Sequence, residues 1–153
     1  MTSVRTSFEV RWVAAEARLT SVDRMGGQGL SITESRQIEA FVNASWYPDT
    51  PLAGVEDERA LAGKAIFERE DVGCATCHTG QHLTNQKEYD MLGLKGVRTP
   101  SLVGISATGP YMHDGRATTL EQTLQLSDIG EMGDTSMLTD AEKADLVYYM
   151  KTL

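Results

Sequence analysis

Residues 74–78 read CATCH, which brings Cys74, Cys77 and His78 together on a single turn of chain. Three chemistries use such a set: a metal ion held by thiolate and imidazole, dithiol redox exchange, or covalent attachment of a haem. A structural zinc ion takes four Cys or His ligands, usually as two pairs. Cys74 and Cys77 are the chain's two cysteines, and only His78, His82 and His113 can be added to them, so a second pair is lacking. A redox dithiol sits at the head of a helix in a strand-rich fold, whereas strict strand alternation never runs beyond a few residues here. The pattern C-x-x-C-H is that of c-type haem attachment. Two thiols three residues apart can each add across a vinyl group at the macrocycle edge, and the adjacent imidazole is then placed to ligate the iron. One covalent haem c is therefore expected on Cys74 and Cys77, with His78 as an iron ligand.

The elements that must position this motif read as helices. From Phe8 to Leu19 the apolar residues Phe8, Trp12, Val13 and Leu19 approach helical spacing, and DRMGGQG at 23–29 ends the segment. Ser31 followed by Glu34 is a capping box opening a second helix, with Ile38, Phe41 and Val42 as its apolar stripe, and the prolines of WYPDTP at 46–51 stop it. A third helix, DERALAGKAIFER at 57–69, leads into the cysteines. Gly63 in its middle costs about 1 kcal/mol relative to alanine, so it is expected to admit another helix at close range. TTLEQTLQLSDI at 118–129 spaces Leu120, Leu124 and Ile129 as a short amphipathic helix. TDAEKADLVYYMKTL opens on a second capping box, Thr139 with Glu142, and lines Leu146, Tyr149, Met150 and Leu153 along one face. Between them, residues 79–117 are rich in Gly, Thr, Ser and Pro with little periodicity. Such a length of irregular chain usually wraps something, and a flat macrocycle that needs packing on both faces accounts for it.

The 153 residues, 41% hydrophobic and 24% charged, suit one domain with a short extension. A formal net charge of -8 argues against nucleic acid or an anionic membrane surface as partner and suits a redox partner with a basic surface. No stretch approaches the ~20 consecutive apolar residues of a membrane span. The opening MTSVRTSFEVRWVAAEARLT lacks the apolar core of a signal peptide, so either a targeting segment is removed or the chain continues from a longer protein.

LAGKAIFEREDVGCATCHTG, then RTPSLVGISATGPYMHDGRATTLEQTL, then LTDAEKADLVYYMKTL resembles, in that order, the C-terminal haem domain of the bacterial di-haem cytochrome c peroxidase and MauG group and its single-haem relatives. LSITESRQIEAFVNASWYPDTPL is similar to the link that precedes this domain in that group. The resemblance implies an all-α, cytochrome c-like helical fold wrapped around one haem at 57–153, with 1–56 as a helical N-terminal extension or link from a preceding domain. It implies that Gly63 and Phe67 pack across the last helix near Leu146 and Tyr149. It also implies that Arg98 and Pro100 of RTPSL and His113 of PYMHDG lie at the haem, Arg98 toward a propionate. A single C-x-x-C-H means that a peroxidase built on two cooperating haems is not contained in this chain.

The face of the iron opposite His78 is either closed by a side chain, making an electron carrier, or open, making a site for peroxide or a small gas. Met1 and Met25 precede the domain, Met91 follows the attachment site too closely, Met112 takes a bulky apolar position beside His113, and Met150 lies on a core face. Met132 and Met137 remain, and Met132 is preferred because GEMGD flanks it with glycines. The expected function is single-electron transfer between redox partners or adjoining domains, with peroxide chemistry at an open site as the alternative. C-x-x-C-H proteins acquire haem outside the bacterial inner membrane, so an extracytoplasmic, periplasmic location is expected. Replacing Cys74 and Cys77 together by alanine is expected to abolish covalent haem, seen as loss of the haem stain on a denaturing gel, and to remove most of the helical circular dichroism, because the haem supplies much of the core.

Overall fold

The structure is a computed structural model that describes residues 14–44, 51–127 and 132–153. The expectations for Phe8, Trp12, Val13 and Ile129 fall outside the described residues. The chain forms two compact units, Met1–Tyr47 and Pro48–Leu153. In the first, residues 14–19 are helical and run into a π-helical turn, Thr20–Arg24, closed by the Met25 N–H on the Thr20 carbonyl at 3.1 Å. Helix α1, Ile32–Ala44, follows. Its capping box is formed as the spacing requires: the Ser31 N–H donates to Glu34 Oε2 at 2.8 Å and the Glu34 N–H to Ser31 Oγ at 3.2 Å. The apolar stripe of α1 is largely open to solvent, with Phe41 74% and Val42 44% exposed.

The second unit is built on two helices distant in sequence. Helix α2, Glu58–Phe67, starts at Asp57, whose Oδ1 accepts the Ala60 N–H at 2.8 Å. Helix α3 is the single turn Cys74–Cys77, α4 spans Leu120–Ser127, and α5 spans Asp140–Met150. Most tertiary contact between elements lies where α2 meets α5. A Cβ on Gly63 would collide with the Asp145 carbonyl and stand 2.6 Å from Tyr149 Cβ. The missing side chain is what allows the two backbones to approach, which accounts for a glycine in mid-helix. Phe67 and Tyr149 then meet edge-to-face with ring centroids 5.5 Å apart. Arg59 fastens the open side of the crossing, with Nε donating to Asp145 Oδ1 at 2.7 Å and its guanidinium 4.6 Å above the Tyr148 ring. Ile66, Phe67, Leu124, Leu146, Val147 and Met150 belong to the buried core that this arrangement creates.

The framework is helical, as expected, with one correction to an all-α fold. Inside the stretch read as irregular lies an antiparallel hairpin, β1 Glu88–Met91 and β2 Leu94–Arg98. Its two-residue turn has φ of +51° at Leu92 and +78° at Gly93. Positive φ at both central residues is the turn geometry whose twist matches paired strands. Strands of four and five residues are too short to announce themselves by alternation, and leucine is not a residue that signals a left-handed turn.

Two outcomes follow from the α2–α5 crossing and the cap of α5. Alanine normally favours a helix over glycine by about 1 kcal/mol, but Gly63→Ala is expected to destabilise the domain by about 1–3 kcal/mol or more in denaturant melts, since neither neighbouring backbone can yield cheaply. Glu142 accepts the Thr139 N–H and hydroxyl, each at 2.8 Å, and faces Arg69 at 3.3 Å. The Thr139 backbone bond, then its hydroxyl, hold this carboxyl below its ordinary value of 4.5. A depressed folded-state value contributes stability that is present above the unfolded value and is lost as pH falls through the folded one. Melting temperatures of wild type and Glu142→Gln are therefore expected to differ at neutral pH and to converge on acidification below about 4.5.

Candidate functional site

The segment leading to the motif is anchored first. Val72 is 1% exposed, and Gly73, at φ +77°, turns the chain into α3. The His78 N–H closes that turn on the Cys74 carbonyl at 3.0 Å. Cys74, Cys77 and His78 all line one cavity of about 460 Å³. His78 Nδ1 lies 3.1 Å from the Leu83 carbonyl oxygen. With the Nδ1 proton donated there, Nε2 keeps its lone pair for a metal, and the ring is held in orientation by the same bond. Burial lowers the His78 pKa against the opposing pull of the Leu83 and Pro100 carbonyls, which favours the neutral, ligand-competent imidazole. Burial pushes the Cys74 thiol up to about 11. A redox dithiol depends on a lowered thiol pKa, so this is the opposite environment. Among the described residues no three His, Cys, Asp or Glu converge as they would on a metal ion bound by side chains alone.

The remaining wall is mainly apolar. Leu102 and Ile105 come from one turn, Leu124 from α4 and Met150 from α5, and Tyr89, Met91 and Val97 come from the hairpin. Two thiols and an oriented imidazole on a deep apolar wall suit a flat, largely hydrophobic macrocycle attached through its edge and ligated from one face.

The other residues singled out from the sequence are brought to the same cavity. Arg98, Pro100, His113 and Met132 all line it. Arg98 is exposed and its Nη2 stands 3.4 Å from Glu88 Oε1, directly opposite on β1. His113 and Pro100 are exposed at its border. Met137 is 83% exposed and takes no part in the wall. His82 is exposed, while its carbonyl accepts the Ser101 hydroxyl at 2.7 Å.

The loop that presents Met132 is tied down at its next residue. Gly133 has φ +97°, and a Cβ there would stand 2.5 Å from the Val72 carbonyl oxygen. The Asp134 N–H donates to that oxygen at 2.9 Å, and the fully buried Thr135 hydroxyl donates to the Leu124 carbonyl at 3.0 Å. Met132 thus stands immediately before backbone packed directly on the residues that precede Cys74.

Three methionines set aside as iron ligands also border the site, Met150 from the buried core face expected of it. Met91, Met112 and Met150 all reach the cavity wall, since tertiary folding returns both the hairpin and the last helix to it. Tyr89 was missed: its hydroxyl accepts from Asn85 Nδ2 at 2.9 Å while the Asn85 N–H donates to the Cys77 carbonyl at 2.9 Å. A Tyr-x-Met step in a four-residue strand is the one sequence signal that pointed there.

Comparison with known proteins agrees with this geometry. The chain is 29% identical to hydrazine synthase subunit gamma of Kuenenia stuttgartiensis, over 74% of this chain and 47% of that protein. It is 30% identical to the methylamine utilization protein MauG of Methylorubrum extorquens, over 61% of this chain and 34% of that protein. The chain thus spans about half or less of the curated relatives it matches. Among solved structures, Kuenenia stuttgartiensis hydrazine synthase superposes with a TM-score of 0.67 at 24% identity, covering 89% of this chain and 60% of that one. A MauG-like protein associated with microbial copper homeostasis superposes at 0.61 and 23% identity, covering 86% and 60%. These two likenesses concern the fold. The family profile named Cytochrome c matches residues 60–153. Because that match takes in the attachment motif, every residue of the cavity wall and the last helix, this chain belongs to the cytochrome c family, whose domains bind haem c covalently.

Proposed function

We propose that the chain is a monohaem cytochrome domain that carries single electrons between redox partners, its one haem held by Cys74 and Cys77 and ligated by His78 and Met132. The observation that carries this reading is the anchoring of Met132: a thioether on the cavity wall, followed at once by a glycine packed on the Val72 carbonyl. A ligand on a loop pinned at that point adds little reorganisation to each change of oxidation state. The haem supplies a one-electron iron couple, and a thioether ligand raises its potential. Leu83 keeps the His78 ring in one tautomer, and the apolar wall excludes water from the iron. Arg98, bound only loosely to Glu88 across the strands, is placed at the border to fork onto a propionate.

A net charge of -8 favours docking of a partner with a basic surface. No helix among the described residues is long and apolar enough to cross a membrane, and a C-x-x-C-H motif, loaded with haem outside the bacterial inner membrane, supports a periplasmic location. A second reading, a haem enzyme domain with a displaceable distal ligand acting on peroxide, is favoured by similarity to proteins named for enzymatic roles, hydrazine synthase among them.

Visible spectra of the ferric protein with and without cyanide separate the two. Methionine ligation predicts a weak charge-transfer band in the red and slow cyanide binding. Met132→Ala is then expected to shift the iron toward high spin, lower the reduction potential and admit cyanide at once, while Met137→Ala leaves the spectrum unchanged. A wild-type protein that is already high spin and binds cyanide immediately would instead establish the enzyme reading.

A further inference from the structure

Two loops that border the cavity are joined by one side chain from neither strand nor helix. The loop 111–117 closes on itself, with the Tyr111 N–H on the Ala117 carbonyl at 2.6 Å, and it carries Met112 at φ +69°. Within it, Arg116 Nε lies 2.7 Å from Asp114 Oδ2 and 2.9 Å from Oδ1, and Nη2 also pairs with that carboxylate. This fork fixes the guanidinium plane and leaves Nη1 directed outward, where it donates to the Leu92 carbonyl at 3.1 Å. Leu92 is the first turn residue of the β1–β2 hairpin and holds φ +51°. A left-handed conformation is costly for a leucine, so a bond to its carbonyl from outside the hairpin adds support where the tip is strained. Met91 and Met112, on the two sides of this bond, both line the cavity.

We propose that Arg116 is a positioning residue that, braced by Asp114, clasps the hairpin to the 111–117 loop and so sets how far the haem is open to solvent and small ligands on that side. Three features are needed together: a planar donor, a carboxylate that consumes one edge of it, and a carbonyl within reach of the other. Lysine's three donors radiate from one nitrogen and lack the planar fork that engages the carboxylate on one edge and the carbonyl on the other. The inference requires haem in the cavity but not electron transfer as the function, since the clasp acts on access whichever reading of the distal ligand holds.

The test uses the haem-loaded protein and the variants Arg116→Ala and Arg116→Lys. Amide hydrogen exchange in residues 88–98 is expected to quicken roughly tenfold or more in both, as loss of a hydrogen bond from a charged group implies. Exchange in α2 and α5 should stay unchanged. The reduction potential should fall in both variants, because a haem more open to water favours the ferric charge, and imidazole should bind the ferric protein faster. Lysine behaving as wild type would overturn the proposal, since charge alone would then suffice. So would hairpin exchange and potential that stay unaltered in Arg116→Ala. Should Arg116→Ala fail to retain haem, Asp114→Asn, which keeps the side-chain shape and weakens the brace, is read in the same assays with the same two outcomes.

Discussion

Helix α2 can lie on α5 only because position 63 has no side chain, and the rest of the domain depends on that approach. The contact joins the segment immediately before the attachment motif to the end of the chain. Phe67 and Tyr149 interlock beside it, and Leu146, fully buried, fills the space below. From α2 the chain has only the short stretch to Val72 before it reaches Cys74, so the place of the thiols is set within a few residues of the crossing. The cavity lining also includes Met150 from the same last helix. A displacement of α5 would therefore move the floor of the cavity and loosen the support of its reactive wall together.

Polar contacts reinforce this arrangement at its rim rather than in its core. Arg69 pairs with Asp71 on its own segment and with Glu142 at the start of α5. Pairs this exposed contribute little individually, but they share one guanidinium: Asp71 orients it, and Glu142 ties the approach to the cysteines to the N-terminal turn of the last helix. The C-terminal residues close the other end, with the Gly54 N–H on the Thr152 carbonyl at 2.9 Å and the Gly104 N–H on the Leu153 carbonyl at 2.7 Å. Apolar burial supplies the cohesion, and these bonds select the register.

The long segment between α3 and α4 does the opposite work. It has little regular structure, yet each of its parts presents something to the cavity: Leu83 a carbonyl for His78, the hairpin Tyr89 and Met91, the 111–117 loop Met112 and His113. A helix offers side chains along one stripe, whereas a disc-shaped cofactor must be met on two faces and around its edge. Several residues hold left-handed backbone here without being glycine, Leu83, Leu92 and Met112 among them. Conformational cost is accepted where a carbonyl or a side chain must point inward.

Much of this was legible in the residues themselves. CATCH named the cofactor chemistry because thiol addition and imidazole ligation require that spacing, and both capping boxes, Ser31 with Glu34 and Thr139 with Glu142, lie where local hydrogen bonding demands. Gly63 declared a close crossing because a mid-helix glycine has a cost that only packing explains. The partner in that crossing was anticipated from family resemblance rather than from the residues. What the linear order left out was convergence. The place of Met91 or Met150 along the chain says nothing of its distance to a cavity, and a hairpin of four- and five-residue strands carries too few alternations to be seen. Flanking glycines favoured Met132 over Met137 in the sequence alone. Tertiary packing supplies the difference in surroundings, since Gly133 lies against Val72 with Met132 on the cavity wall, while Met137 faces water.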